Sequence, residues 1–131
     1  MIVLDASAVL AWLLRLEPAA AISRRFQAPG ESLHAPHLLN VEVLHGLRRH
    51  ALRGKMSRTR GDEALEDLLD VDVSLYPHAP LAGRVWELRE NLTAYDAAYV
   101  ALAEALDAPL ITTDGRLARA PGHSATVELF G

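Results

Sequence analysis

The sequence predicts an α/β fold, a three-layer α/β/α domain in which helices cover both faces of a central parallel sheet of four to five short strands. Helical and strand-like segments alternate along the chain, and the strand-like segments 2–5 and 109–112 are continuously apolar. Strands that are apolar on both faces are typical of a parallel sheet buried between helices. The chain has 131 residues and neither a linker nor a repeat, so we expect a single domain, 1–131.

Apolar periodicity and helix-terminating residues predict the elements of the first half of the chain. The apolar segment IVLD ends at Asp5 and continues directly into the helical pattern ASAVLAWLLRL. Pro18 suits the first turn of the next helix, where a missing amide costs little, and Gly54 suits a helix end. The predicted elements are a strand at 2–5, helices at 6–16 and 17–28, a turn at 29–31, a strand at 32–36 and a helix at 37–54.

The second half of the chain continues the alternation. Ser57 and Thr93 are residue types that commonly cap the N-terminus of a helix. Thr93 precedes an alanine-rich segment, which favours a helix. The predicted elements are helices at 57–69, 78–92 and 93–108 and strands at 72–77, 109–114 and 124–130.

Two carboxylates end predicted strands. Asp5 closes the first strand, and Asp114 closes the strand LITT in the same way. Ligands of open α/β sheets bind beyond the carboxyl ends of the strands, so both acids are expected at the functional edge of the sheet. Asp5 could instead cap the following helix, and Asp114 with Gly115 could form an ordinary turn.

Two further acids lie on helices at the margin of an apolar stripe. Glu42 has leucines one turn before it and Gly46 one turn after it. Asp96 shares its helix face with Tyr99. Glu42 could point into solvent, and Asp96 could complete a capping box with Thr93. Taken together, however, the four acids could converge on one cleft at the end of the strands.

Converging carboxylates need a counter-charge, because several of them cannot stay ionised within a few ångströms of one another. The chain contains no cysteine and therefore no thiolate metal site. Carboxylates and waters are typical ligands of Mg²⁺ or Mn²⁺. Ser7 and Thr112 each stand two residues from a strand-end acid, where their hydroxyls could orient ligands or water.

Four segments in this order, MIVLDASAVLAWLL, NVEVLHGLRR, LTAYDAAYVALAEAL and PLITTDGRL, resemble the PIN-domain family. They are most similar to its VapC branch, the ribonuclease toxins of type II toxin–antitoxin modules. The resemblance implies a Mg²⁺ or Mn²⁺ site for phosphodiester hydrolysis formed by Asp5, Glu42, Asp96 and Asp114. Some members carry another acid after the last aspartate, where this chain has Gly115 and Arg116.

The resemblance also implies an RNA substrate, a cognate antitoxin (VapB-like) and a homodimer. The net charge is −4, but residues 48–60 contain only basic charges. Arginine suits phosphate contacts, so this segment could hold RNA, or it could be a solvated helix face. Either Asp96 or Asp114 could accept the proton of the attacking water. The candidates for RNA contacts are Arg48, Arg49 and Arg53, and those for a dimer contact are Trp12, Leu13 and Trp86.

We expect a soluble cytoplasmic protein without membrane association. The apolar N-terminal run is broken by Asp5 and ended by Arg15, it lacks the basic region of a signal peptide, and the absence of cysteine suits a reducing compartment. Ser7 stands where a haloacid-dehalogenase-type phosphatase needs a second aspartate, and the first strand lacks a glycine-rich loop for a dinucleotide. The alternative to an RNA-cleaving enzyme is a PIN-like module that binds RNA or protein without cleavage.

Overall fold

The computed structural model describes residues 1–131 and contains one five-stranded sheet with all strands parallel, in the order β3-β2-β1-β4-β5. Ile2, Val3 and Leu4 of the central strand are all fully buried. Because successive side chains of a strand point to opposite faces, the sheet is covered on both faces, which confirms the predicted α/β class. The strands are β1 (Ile2–Leu4), β2 (Leu33–Pro36), β3 (Val73–Tyr76), β4 (Leu110–Thr112) and β5 (Val127–Leu129).

Seven helices connect and cover the strands. Helix α6 has the longest run of consecutive buried residues, Ala97 to Ala103, and it packs over β1, β2 and β4. No helix combines the length and the apolar character needed to cross a membrane. The helices are α1 (Ala6–Leu13), α2 (Ala19–Phe26), α3 (Leu38–Leu52), α4 (Arg58–Asp70), α5 (Ala82–Glu87), α6 (Ala94–Leu106) and α7 (Gly115–Arg119).

The order of the strands creates a switch point beside β1. The chain leaves β1 for β2 and β3 on one side, and then crosses back to place β4 on the other side. Leu4 pairs with Ile111, so β1 and β4 end side by side. Ligands of open parallel sheets bind in the crevice at such a point. The residues that follow these two strands are Asp5 and the segment 113–114.

Two predicted helix starts are confirmed by capping hydrogen bonds. The Ser57 hydroxyl accepts from the Arg60 amide at 3.1 Å, and the Thr93 hydroxyl accepts from the Asp96 amide at 3.2 Å. These contacts satisfy backbone amides that have no partner within the first turn of a helix.

Three helices differ from the sequence prediction. The first helix stops at Leu13, and Arg15 then adopts a left-handed φ of 56°, which ends the helical path. The predicted helix 78–92 is a 3₁₀ turn, Ala79–Leu81, followed by the short α5, which ends at Glu87. Helix α7 occupies a segment for which no helix was predicted, because five residues are too few to show a periodic pattern.

Candidate active site

A cleft of about 310 Å³ opens at the switch point of the sheet and contains all four predicted acids. Two of them follow strands β1 and β4, and the other two come from helices α3 and α6. The structure therefore brings together carboxylates that are up to 109 positions apart in the sequence. The lining residues are Asp5, Ala6, Ser7, Leu10, Glu42, Arg49, Asp96, Asp114 and Arg116.

Asp5 is the most deeply buried of these acids, with 5% of its surface exposed. It occupies the N-cap position of α1, yet its side chain makes no capping hydrogen bond, so the capping alternative is wrong. Its Oδ2 instead accepts hydrogen bonds from Ser7 Oγ at 2.6 Å and Thr112 Oγ1 at 2.7 Å. Burial raises the pKa of Asp5 above its usual value, and the two hydroxyl hydrogen bonds oppose that rise.

Backbone amides fix the orientation of the two hydroxyls. The amide of Thr113 donates to Ser7 Oγ at 3.0 Å, and the amide of Asp114 donates to Thr112 Oγ1 at 3.0 Å. A hydroxyl that accepts from an amide keeps its own proton for another acceptor, which here is Asp5. The loop after β4 therefore holds the carboxylate that follows β1.

Glu42 reaches the cleft from α3 because α3 packs closely on α1. A side chain at Gly46 would place its Cβ 2.5 Å from Leu10 Cδ2, so only glycine allows this approach without displacing Leu10. Glu42 Oε1 accepts a hydrogen bond from the Tyr99 hydroxyl at 2.7 Å. Burial raises the pKa of Glu42, the Tyr99 hydrogen bond lowers it, and the charges of Asp5 and Asp96 raise it further.

The carboxylate of Asp96 makes no close hydrogen bond to the protein. The capping box is half formed, since only the amide of Asp96 is bound by Thr93. Burial raises the pKa of Asp96, and the negative charges of Asp5 and Asp114 raise it further, whereas the Arg116 guanidinium and the Thr93 hydroxyl lower it. A half-buried carboxylate that makes no close hydrogen bond to the protein is available to a ligand.

Asp114 has a structural role as well as a place in the cleft. Its Oδ1 accepts from the Arg116 amide at 2.9 Å and so caps α7, which means that Asp114 and Gly115 begin a helix rather than the ordinary turn of the alternative. Its Oδ2 lies 3.7 Å from Arg116 Nη2. That guanidinium is largely exposed, with 84% of the side chain accessible, so the pair is weak and can rearrange.

The charge balance of the cleft fits a hydrated divalent cation. Four acids face two cationic side chains, those of Arg49 and Arg116. No group of three or more His, Asp or Glu side chains forms a compact metal cluster in the structure. Mg²⁺ keeps several waters and takes only one or two carboxylates directly, so it needs no such cluster. The Asp96 carboxylate makes no close hydrogen bond to the protein, and the pKa values of Asp5 and Asp96 are raised. Both observations indicate that the cleft lacks positive charge.

Of the three arginines predicted to contact RNA, the structure places one in the cleft, and it places there a further arginine that was not predicted. Arg49 lines the cleft, whereas Arg48 and Arg53 are exposed outside it. Arg116 also lines the cleft and was not predicted as a site residue. Its position two residues after a strand-end acid is the signal that could have found it.

The largest cavity, of about 620 Å³, lies elsewhere, between α1, α2 and α4. Trp12 and Leu13 line it, and Trp12 also packs against Phe26 with ring centroids 5.8 Å apart. Two of the candidate dimer residues thus belong to this groove, whereas Trp86 has 67% of its surface exposed. The groove does not contain the four acids and is not the candidate site.

The fold and the cleft define a class of protein, an α/β domain with a carboxylate-lined site at the switch point of its parallel sheet. The model of the PIN domain matches residues 2–123 of the chain. Ribonuclease VapC12 of Mycobacterium tuberculosis is 43% identical over 129 residues, covering 98% of each chain. Ribonuclease VapC9 of the same species is 47% identical over 117 residues, which are 89% of this chain and 88% of VapC9.

A solved structure agrees with these relatives. VapBC2 from Rickettsia felis, bound to a DNA fragment from its promoter, superposes with a TM-score of 0.73 at 15% identity and covers 100% of both chains. At that identity the likeness concerns the fold. The chain belongs to the PIN-domain family, in its VapC branch. The resemblance inferred from the sequence is thereby confirmed.

Proposed function

We propose that this chain is a metal-dependent endoribonuclease and the toxin of a type II toxin–antitoxin pair. The observation that carries the proposal is the convergence of Asp5, Glu42, Asp96 and Asp114 on one cleft, in a chain whose relatives are named VapC ribonucleases. The proposed reaction is hydrolysis of a phosphodiester bond within RNA, with Mg²⁺ or Mn²⁺ as the cofactor.

The four carboxylates would hold the ion, directly or through its waters. A bound divalent ion lowers the pKa of water and offsets the charge that develops on the phosphate oxygens. Asp5 is held in place by hydrogen bonds from two hydroxyls. Asp114 accepts the capping hydrogen bond of α7 and faces Arg116, whereas the Asp96 carboxylate makes no close hydrogen bond to the protein. Of the two candidates, Asp96 is therefore better placed to accept the proton of the attacking water.

The ends of the RNA products test the proposed reaction. In hydrolysis a water oxygen bonds to phosphorus, the bond to the 3′ oxygen breaks, and that oxygen takes up a proton. The purified chain with Mn²⁺ is therefore expected to leave 5′-phosphate and 3′-hydroxyl ends. Ligation-based sequencing of the fragments produced from total RNA would detect these ends and identify the cleaved sequence. Cyclic 2′,3′-phosphate ends would contradict metal-assisted hydrolysis.

Arg49 and Arg116 are the cations best placed to contact the phosphates next to the cleaved bond. They line the cleft from opposite elements, α3 and α7. Loss of one charged hydrogen bond to phosphate is expected to raise KM about tenfold. Arg49→Ala and Arg116→Ala should each show this increase and a salt dependence reduced by about one unit of slope.

Two other sets of arginines complete this test. Arg48→Ala and Arg53→Ala remove charges outside the cleft and should raise KM only about twofold, as screened long-range charges do. Arg24→Ala is the matched control, because Arg24 is exposed, forms no ion pair and lies outside the cleft. Equal effects of all five substitutions would show that the whole basic surface, rather than the cleft pair, binds the RNA.

The partners follow from membership of the VapC branch. We expect a cognate antitoxin to place a basic side chain among the four acids, since the cleft carries an excess of negative charge. We also expect a homodimer, with the exposed Trp86 as a contact residue, and a cytoplasmic location.

A further inference from the structure

Tyr99 is the largest side chain that is fully buried in the core, and it carries one polar atom. That hydroxyl donates a hydrogen bond of 2.7 Å to Glu42 Oε1. A buried hydroxyl without a partner is costly, so this contact is part of the reason why tyrosine fits here. The acceptor is a carboxylate of the cleft rather than a backbone carbonyl.

The same residue connects two walls of the cleft. Tyr99 follows Asp96 by three positions on α6, so the two side chains lie one turn apart on one face. Its hydroxyl crosses to Glu42 on α3, a contact between residues 57 positions apart in the sequence. Helix α6, which carries Asp96, thus also binds Glu42 of α3 through Tyr99.

The Glu42 side chain needs a contact that fixes its position. It forms no ion pair with any basic side chain, and the negative charges of Asp5 and Asp96 act on it. The half-buried glutamate side chain has several rotatable bonds, and repulsion favours turning it outward into water. A hydrogen bond from a neutral donor to an ionised carboxylate is among the stronger ones in proteins and opposes that rotation.

We propose that Tyr99 is a positioning residue that holds the Glu42 carboxylate at a fixed place relative to Asp96, so that the cleft is ready to take up a divalent cation. The inference rests on the proposed function in one respect, namely that Glu42 is one of the carboxylates of the metal site. Tyr99 itself contacts neither substrate nor metal. Its effect on both passes through Glu42.

Binding of Mn²⁺ alone tests this role without any measurement of cleavage. Free Mn²⁺ gives a strong electron paramagnetic resonance signal that is lost on binding, so the dissociation constant of the purified chain is obtained by titration with MnCl₂. Tyr99→Phe removes one oxygen and keeps the ring. It is expected to weaken Mn²⁺ binding about tenfold, the size typical for removal of a residue that orients a metal ligand.

Tyr76→Phe is the matched control. It also removes a tyrosine hydroxyl with a hydrogen-bond partner, since Tyr76 Oη lies 2.7 Å from His34 Nδ1 in the sheet. Tyr76 does not line the cleft, so Mn²⁺ affinity should stay as in the parent chain. A similar loss in both variants would show that any lost hydroxyl loosens the fold, and would overturn the proposal.

A double-mutant cycle separates positioning from general stability. In a Glu42→Ala background the Tyr99→Phe change should have no further effect on Mn²⁺ affinity. If the tenfold loss persists in that background, Tyr99 acts on something other than Glu42 and the proposal fails. Glu42→Gln keeps an acceptor for the hydroxyl, so the difference in melting temperature between Glu42→Gln and Glu42→Ala should become smaller when Tyr99→Phe is added to both.

The two hypotheses fail in different ways. A parent chain that binds Mn²⁺ but leaves RNA intact contradicts the nuclease function and leaves the role of Tyr99 testable by the titration. A parent chain that cleaves RNA, with a Tyr99→Phe variant that binds Mn²⁺ equally well, retains the nuclease function and overturns the role of Tyr99.

Discussion

Replacement of Asp5 by asparagine is expected to lower the rate of RNA cleavage about a thousandfold, since loss of a metal-binding charge removes several kcal/mol of transition-state stabilisation. The fold should be retained. Ser7 and Thr112 can donate to the amide oxygen as they donate to Oδ2 of Asp5. The substitution also removes a buried carboxyl whose pKa is raised by burial, so the free energy of unfolding at neutral pH should not fall.

Asp107→Asn is a suitable control for this substitution. Asp107 is exposed, lies outside the cleft and adopts a left-handed φ of 49° that asparagine accepts readily. The Asp107→Asn substitution changes the net charge by the same amount as Asp5→Asn, and the variant should cleave RNA at the parent rate. Cleavage is measured as initial rate on a defined RNA with Mn²⁺, and unfolding by urea with circular dichroism. An Asp5→Asn chain that cleaves at the parent rate would remove Asp5 from the site.

Removal of divalent cations is expected to abolish cleavage, and added Mg²⁺ or Mn²⁺ to restore it. The reason is electrostatic, because four carboxylates share one cleft with two arginines and need a cation before an anionic phosphate can approach. The measurement compares cleavage and RNA retention in EDTA, with and without an excess of each metal. If RNA is bound in EDTA and remains intact in either metal, the chain is a binding module and the enzyme proposal fails.

The pH dependence follows from the direction of the pKa shifts. Metal binding requires ionised carboxylates, and burial raises the pKa of Asp5, Glu42 and Asp96. As the pH is lowered, cleavage should therefore begin to decline at a pH above about 4, the value near which ordinary carboxyls protonate. A decline confined to pH values at or below about 4 would show that these acids titrate as ordinary carboxyls.

The stability of the metal-free chain should show the opposite trend. A carboxyl with a raised pKa in the folded state binds a proton more tightly there than in the unfolded state. The contribution of these three acids to the free energy of unfolding therefore falls as the pH rises through the raised pKa values. Saturating Mn²⁺ at neutral pH should recover that loss, because it binds the folded chain.

The sheet and the four acids could be predicted because each leaves a local signature. A buried parallel strand is a continuous apolar run, and an acid at its end interrupts that run, as at Asp5 and Asp114. Glu42 and Asp96 stand out against helical periodicity. Helix α7 could not be predicted in this way, because its five residues show no period and its Asp–Gly start also suits a turn.

Contacts between distant residues were beyond local patterns. The bond between Tyr99 and Glu42 depends on how far α6 stands from α3, which the packing of the whole domain decides. The same is true of Gly46, whose neighbour Leu10 belongs to another helix. Likewise, the basic run 48–60 by itself does not distinguish Arg49, which lines the cleft, from Arg48 and Arg53, which lie outside it.

The hydrogen bond between Thr112 and Asp5 joins residues 107 positions apart, and this has a consequence for synthesis. A ribosome makes the first strand at the start and the strand that completes the cleft near the end. Until β4 has emerged and paired with β1, Asp5 lacks Thr112 and stands apart from Asp114. Because domains fold as units during translation, the proposed nuclease would lack a complete cleft for most of its own production.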